Sequence, residues 1–123
     1  MRLEDLQIYQ LAMRLGEDVW QIVSEWNYWN KEAFGKQLLR AADSVSANLA
    51  EGFGRYHLKD NLNFCYYSRG SLKETITWLT KAYNRNLLSK EKFEELTQLC
   101  NTLSIKLNNY IKTLRTPNFP VNK

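Results

Sequence analysis

The sequence predicts an all-α protein, an antiparallel up-down-up-down four-helix bundle. Four separate segments of the 123-residue chain place apolar residues in alternating steps of three and four. No segment alternates with period two over the length of a strand. Both prolines, Pro117 and Pro120, lie in the last seven residues, so neither breaks an earlier helix. These observations predict a bundle domain over residues 1–116 and an extended or disordered tail over 117–123.

The apolar seams of the four segments cover residues 8–26, 34–52, 58–83 and 93–114. Their heptad-like spacing is typical of helices that pack at shallow angles. The connections between them are short, so neighbouring helices are expected to run antiparallel.

Residues that start and stop helices lie between these seams. Asn30 is placed to cap the second helix, and Ser89 is placed to cap the fourth. Gly52 and Gly54 suit the end of the second helix in a left-handed conformation, and Asn86 suits the end of the third. The absence of a preceding strand argues against a phosphate-binding role for the two glycines.

Two polar residues, Asn48 and Arg69, occupy predicted core positions. Asn48 could hydrogen-bond across to the third helix near Leu62. Arg69 could form a buried pair with a carboxylate of this chain or of another subunit. Alternatively, its aliphatic stem could cross the seam and carry the guanidinium to the surface.

A second stripe on the third helix is predicted to face outward. Its members are Phe64, Tyr67, Ser71, Thr75 and Trp78. Aligned aromatic residues outside a core favour an oligomer interface, to which we assign Phe64, Tyr67 and Trp78. A platform for stacking nucleic-acid bases is the alternative.

The net charge of +4 has a definite location. Residues 1–95 contain 13 basic and 13 acidic side chains, so the excess lies in the acid-free stretch after them. Such an asymmetry could guide association with an acidic partner or with nucleic acid. Phosphate contacts are predicted for two groups of residues: Lys106, Lys112 and Arg115 on the last helix, and Arg55, Lys59 and Lys73.

The residue types needed for catalysis are scarce. His57 is the only histidine, which excludes histidine-based metal sites, and Cys65 and Cys100 occupy core positions where a thiol is inert. Glu51 lacks a second carboxylate at matched height. We therefore predict no catalytic residue, no metal and no cofactor. An enzyme that uses Glu51 and His57 is the remaining alternative.

No run approaches the roughly 18 apolar residues of a membrane span, and the first residues lack the apolar core of a signal peptide. We therefore expect a cytoplasmic protein without a membrane partner.

Two stretches, "SVSANLAEGFGR" (residues 44–55) and "SRGSLKET" (residues 68–75), resemble the 23S rRNA intervening-sequence protein family, also called four-helix bundle proteins. The likeness extends from about Leu6 to Leu114. The motif residues are Ser44, Asn48, Glu51, Gly52, Arg69, Gly70, Ser71 and Glu74.

This resemblance implies a bundle that assembles as a ring-like homopentamer, with no catalytic residue to carry over. It also implies a distant likeness to accessory proteins of diversity-generating retroelements, which bind a reverse transcriptase and nucleic acid. The leading hypothesis is a non-enzymatic oligomeric adaptor in an RNA- or DNA-associated complex. The alternative is a purely structural or protein-interaction homo-oligomer that binds no nucleic acid.

Overall fold

Four long helices make up most of the computed structural model, which describes residues 1–116. They are α1 (Gln7–Ser24), α2 (Lys36–Phe53), α3 (Leu58–Asn84) and α4 (Lys90–Arg115). No strand occurs among these described residues. The all-α prediction is confirmed, whereas the prediction for residues 117–123 lies outside the described part of the chain.

Of three short elements, one precedes α1 and two lie between α1 and α2. A 3-10 turn covers Leu3–Asp5, and a single α-helical turn at Tyr28–Asn30 leads through a π-helical segment, Lys31–Gly35, into α2. The side chain of Asn27 accepts a hydrogen bond from the backbone N–H of Asn30 at 2.8 Å. The predicted cap at Asn30 is therefore wrong, because the helical turn begins earlier and Asn27 is its N-cap.

Of the predictions for the other helix ends, those for Ser89 and Asn86 are confirmed and those for Gly52 and Gly54 are wrong. Ser89 caps α4 by accepting from the N–H of Lys92 at 3.1 Å. Asn86 follows α3 in the left-handed region, with φ of 61°. Gly54, in contrast, ends α2 with φ of −79°, and Gly52 lies inside that helix. The left-handed termination predicted for these two glycines is wrong.

The core lies between all four helices. α1 packs against α2 and α4, and α3 packs against α2 and α4. Up-down-up-down order stays a prediction, supported by contacts in which α2 and α3 run oppositely. Gly52 lies against Phe64, and Ser68 donates to the Val45 carbonyl at 2.8 Å.

The buried seam of α3 is rotated from its predicted position. Its buried residues are Cys65, Ser68, Leu72, Thr75, Leu79 and Ala82. Thr75 is fully buried, and its hydroxyl donates to the Ser71 carbonyl at 2.8 Å. The prediction that Thr75 faces outward is wrong. Small hydroxyl side chains fit the seam here because a neighbouring backbone carbonyl accepts each hydrogen bond.

α1 and α2 approach closely where Gly16 faces Asp43. A Cβ atom on Gly16 would lie 2.6 Å from Oδ1 of Asp43, so the carboxylate occupies the space that a side chain would take. Desolvation, followed by the nearby Glu17 carboxylate, raises the pKa of Asp43. The ionised form of Asp43 therefore disfavours this helix contact.

Replacing Asp43 with asparagine is expected to increase the free energy of unfolding at pH 7. The raised pKa means that ionised Asp43 destabilises the folded state above that pKa. This penalty disappears below the unfolded-state pKa of about 3.9, where both states are protonated. Urea unfolding at pH 7 and pH 3 should show a gain only at pH 7. Asp18→Asn is the control, because Asp18 lies 3.7 Å from Arg14 and should give no gain.

Within residues 1–116, no helix has the length and hydropathy needed to cross a membrane.

Candidate nucleic-acid interface

A concavity of about 650 Å³ between α3 and α4 brings three basic side chains together. We call it the cationic concavity; its lining residues are Arg69, Asn108, Ile111, Lys112, Arg115 and Thr116. None of these residues is acidic, and no acidic residue follows Glu95 in the chain. Three like charges in one concavity favour an anionic ligand over a neutral one.

α4 supplies most of this site because Asn108, Lys112 and Arg115 follow one another at helical spacing of four and three residues. Lys112 and Arg115 lie in the last turns of α4 and are exposed. Cations at this end also compensate the negative pole of the helix, which gives them a structural role in addition.

Arg69 reaches the cationic concavity from α3. Its Nη1 donates to Oδ1 of Asn108 at 3.1 Å, and its guanidinium lies 5.1 Å from the centre of the Tyr66 ring. Arg69 forms no ion pair within the described chain. Of the two predicted alternatives, the structure therefore favours the one in which Arg69 extends to the surface.

Lys106 lies apart from the other two predicted basic residues of α4. It lines a separate and smaller concavity, of about 300 Å³, against the start of α1, with Leu6, Ile8 and Tyr110. The predicted group on the last helix is thus divided between two surfaces.

The second predicted basic group, Arg55, Lys59 and Lys73, does not lie together on one surface. Arg55 pairs with Glu51 at 2.8 Å and lies 4.9 Å from the centre of the Phe64 ring. Lys59 and Lys73 are exposed on α3. Fourteen residues separate these lysines, which corresponds to about 21 Å along a helix.

Of the motif residues on α2, Gly52 packs against α3, and Ser44 and Asn48 form hydrogen bonds within α2. Asn48 Nδ2 donates to the Ser44 carbonyl at 2.9 Å, within its own helix, so the predicted bond from Asn48 across to α3 is wrong. The Ser44 hydroxyl donates to the Arg40 carbonyl. Gly52 is buried against Asn61 and Phe64. Much of this motif is therefore explained by packing and by helix-internal hydrogen bonds.

The motif residues on α3 have mixed surroundings. Glu74 lies 3.6 Å from Arg40 of α2 and accepts from Nε1 of Trp78 at 3.1 Å. Ser71 is partly buried and accepts from Thr75. Gly70 is exposed, and a Cβ placed there would meet no atom within 4 Å.

The three residues assigned to an oligomer interface differ in exposure. Trp78 is partly buried and makes an edge contact with Phe34, at 5.3 Å between ring centres. Phe64 is partly buried beside Gly52. Tyr67 keeps 58% of its surface exposed. Tyr67 is consequently the best placed of the three to meet another molecule.

Burial raises the pKa of Cys65 to about 11 and that of Cys100 to about 12. Both are therefore protonated thiols at neutral pH, which does not suit a nucleophile. No group of three or more histidine, cysteine, aspartate or glutamate residues suited to a metal ion occurs in residues 1–116.

The sequence did not predict that Arg69 lies beside Lys112 and Arg115, or that Asn108 accepts a hydrogen bond from Arg69. A signal was present, since Asn108, Lys112 and Arg115 share one helical face and Arg69 stood out as a charged residue in a seam. What the sequence lacked was the rotation of α3 relative to α4.

Comparison with protein families matches residues 4–109 to the 23S rRNA-intervening sequence protein family. A crystal structure of a protein of unknown function from the S23 ribosomal protein family of Bacteroides thetaiotaomicron VPI-5482 is similar in fold, with a TM-score of 0.76 and 18% identity. The match covers 85% of this chain and 98% of that one. Comparison with the curated proteins gave no match.

Proposed function

This chain belongs to the 23S rRNA-intervening sequence protein family, and from that premise we propose that it is a non-enzymatic helical-bundle adaptor that binds the phosphate backbone of RNA or DNA. The observation that carries the proposal is the cationic concavity, in which Arg69, Lys112 and Arg115 converge without a carboxylate among the lining residues. Arginine and lysine are the side chains that most often contact phosphates.

The dipole of α4 explains the positions of only two of the three basic residues in the cationic concavity. It favours cations in the last turn of α4, which covers Lys112 and Arg115. Arg69 lies within α3, far from any helix end. Its fixed position against Asn108 and Tyr66 orients a planar donor group beside the two other cations. That preorganisation supports an anion-binding role.

Binding through this concavity would contact backbone phosphates and would carry little sequence preference. Affinity should therefore fall steeply with salt, because each neutralised phosphate releases counterions. An assembly of several copies would raise a weak affinity by multivalency.

The test is fluorescence anisotropy with a structured RNA hairpin over a salt series. Replacing Lys112 and Arg115 together with glutamine should weaken binding and reduce the salt slope by about two, one for each lost phosphate contact. The matched control is the double replacement of Lys90 and Lys92 with glutamine, which removes two charges from the opposite end of α4. Equal effects of the two pairs, a flat response to salt, or no binding at low salt would contradict the proposal.

A second candidate, a protein-interaction homo-oligomer, is favoured by the exposed face of α3. An exposed glycine inside a helix costs about 1 kcal/mol relative to alanine, and Gly70 has no packing role within the described chain. Tyr67 lies one helical turn away and is exposed. A close approach by another subunit would give both residues a function.

Replacing Gly70 with glutamine, or Tyr67 with serine, should dissociate such an oligomer in sedimentation experiments without unfolding the protomer. Thr77→Gln is the control, because Thr77 is exposed further along α3. Trp78→Ala is less informative, since Trp78 packs on Phe34 inside the protomer. If the mass of both variants equals that of the unaltered protein, this face is not the interface.

A further inference from the structure

A second concavity, of about 350 Å³, lies between α1 and the start of α2 and is mainly apolar. We call it the tryptophan groove. Its apolar lining residues are Trp20, Val23 and Leu39, and its polar lining residues are Ser24, Lys31, Glu32 and Lys36. Its volume is within the range of about 300–1,000 Å³ that is usual for binding pockets. Nothing in the proposed function uses this groove.

The π-helical segment, Lys31–Gly35, packs against α1 beneath the tryptophan groove. Lys31 and Glu32 belong to the π-helical segment, a rare element that is frequent at functional sites. Gly35 closes this segment, and a Cβ there would lie 2.8 Å from Cγ1 of Val23. Lys36 pairs with Glu32 at 2.9 Å, so these two charges compensate each other. Trp20 remains 53% exposed, although it is one of the largest apolar side chains of the protein.

The sequence of residues 117–123, "PNFPVNK", has the chemistry to fill such a groove. It contains Phe119 and Val121 and has no charge before Lys123. Pro117 and Pro120 preset two backbone φ angles, which lowers the entropy lost on binding. Proline-rich extended segments characteristically dock in grooves lined by aromatic side chains.

The 117–123 segment is too short to reach the tryptophan groove of its own protomer. Ile22 of α1 and Leu96 of α4 line one concavity, so they lie at similar heights. From Leu96 to Arg115, α4 rises about 28 Å. Phe119 follows Thr116 by three residues, which reach about 11 Å at most. Phe119 therefore cannot return to the level of Trp20.

We propose that the tryptophan groove binds the 117–122 segment of a second copy of this chain, with Phe119 inserted between Trp20 and Leu39. This contact joins two different surfaces, so it links copies head to tail and either closes into a ring or continues. The proposal goes beyond the proposed function and does not depend on the cationic concavity.

The direct test uses a fluorescently labelled peptide, Thr116 to Lys123, added to the full chain carrying Phe119→Ser, whose own segment should not compete. We expect saturable binding in anisotropy. Adding Trp20→Ser, or separately Leu39→Gln, should weaken binding at least tenfold. Ile105→Ser is the matched control, because Ile105 is similarly exposed at 63% but lies on α4. Circular dichroism checks that each variant remains helical.

A complementation experiment tests the exchange between copies. Chains with Trp20→Ser lack the groove and chains with Phe119→Ser lack the anchor, so this contact should be lost in either variant alone. A mixture of the two restores one intact contact for each pair, and sedimentation should detect the mixed dimer. Failure of the peptide to bind, equal binding to the Trp20→Ser variant, or no mixed species would overturn the proposal. Peptide binding should stay unaltered when Lys112 and Arg115 are both replaced with glutamine, which separates this result from the proposed function.

Discussion

Replacing Gly52 with alanine is expected to lower the free energy of unfolding by about 1–3 kcal/mol, the usual cost of overpacking a core. An added Cβ would lie 2.7 Å from Oδ1 of Asn61, 2.9 Å from Cβ of Phe64 and 3.1 Å from the Asn61 carbonyl oxygen. The last two atoms belong to or adjoin the backbone of α3, so a rotamer change cannot relieve the crowding. The two helices must separate, which weakens the packing along their contact.

The matched control is the same substitution at Gly70. No atom lies within 4 Å of a Cβ at this position, which is in the interior of α3. Gly70→Ala should therefore increase the free energy of unfolding by about 0.5–1 kcal/mol, because alanine favours the helix. Urea unfolding of both variants measures the contrast. Unchanged stability of Gly52→Ala would show that the α2–α3 contact at Gly52 is looser than described, and a loss of stability in Gly70→Ala would show that the position of Gly70 is not open.

Replacing Trp26 with alanine should lower the free energy of unfolding by about 3 kcal/mol, at the lower end of the range for large aromatic residues because Trp26 is partly buried. Its indole Nε1 donates to the Leu87 carbonyl at 3.1 Å. Its ring stacks on Phe34 at 5.8 Å between centres. Trp26 thereby ties the α1–α2 connection to the α3–α4 connection at one end of the bundle.

Two further substitutions separate packing from hydrogen bonding at this end. Trp26→Phe keeps most of the ring contact and should cost about 1 kcal/mol for the lost hydrogen bond. Trp29→Ala should change stability by less than about 0.5 kcal/mol, because Trp29 is 73% exposed. Thermal and urea unfolding of the three variants give the ranking. Equal losses for Trp26→Ala and Trp29→Ala would contradict the specific role of Trp26.

The sequence predicted where the helices lie more accurately than which face of each helix is buried. The seams of the first, second and fourth segments coincide closely with buried residues, for example Leu15, Leu38 and Leu103. In α3 the predicted seam included Arg69, whereas the buried positions are Ser68 and Thr75. Hydropathy alone predicts the wrong buried face of α3. It counts serine and threonine as polar, although a buried hydroxyl can donate its hydrogen bond to a backbone carbonyl.

The candidate site was predicted in part. Lys112 and Arg115 were expected from the acid-free stretch at the end of the fourth segment, and both line the cationic concavity. Lys106 was grouped with them by sequence position but faces α1 instead. The tryptophan groove was not predicted, because it depends on the π-helical segment and on how closely α1 approaches α2.

The sequence by itself determined the number of helices, their class and the family, because helical periodicity and the motif are properties of residues near one another in the chain. Tertiary structure decided which charges share a surface, which aromatic residues stay exposed and which glycine lies at a close helix contact. These properties depend on the rotation and separation of neighbouring helices. Both are set by packing between residues far apart in sequence, as between Gly52 and Phe64 or between Arg69 and Asn108.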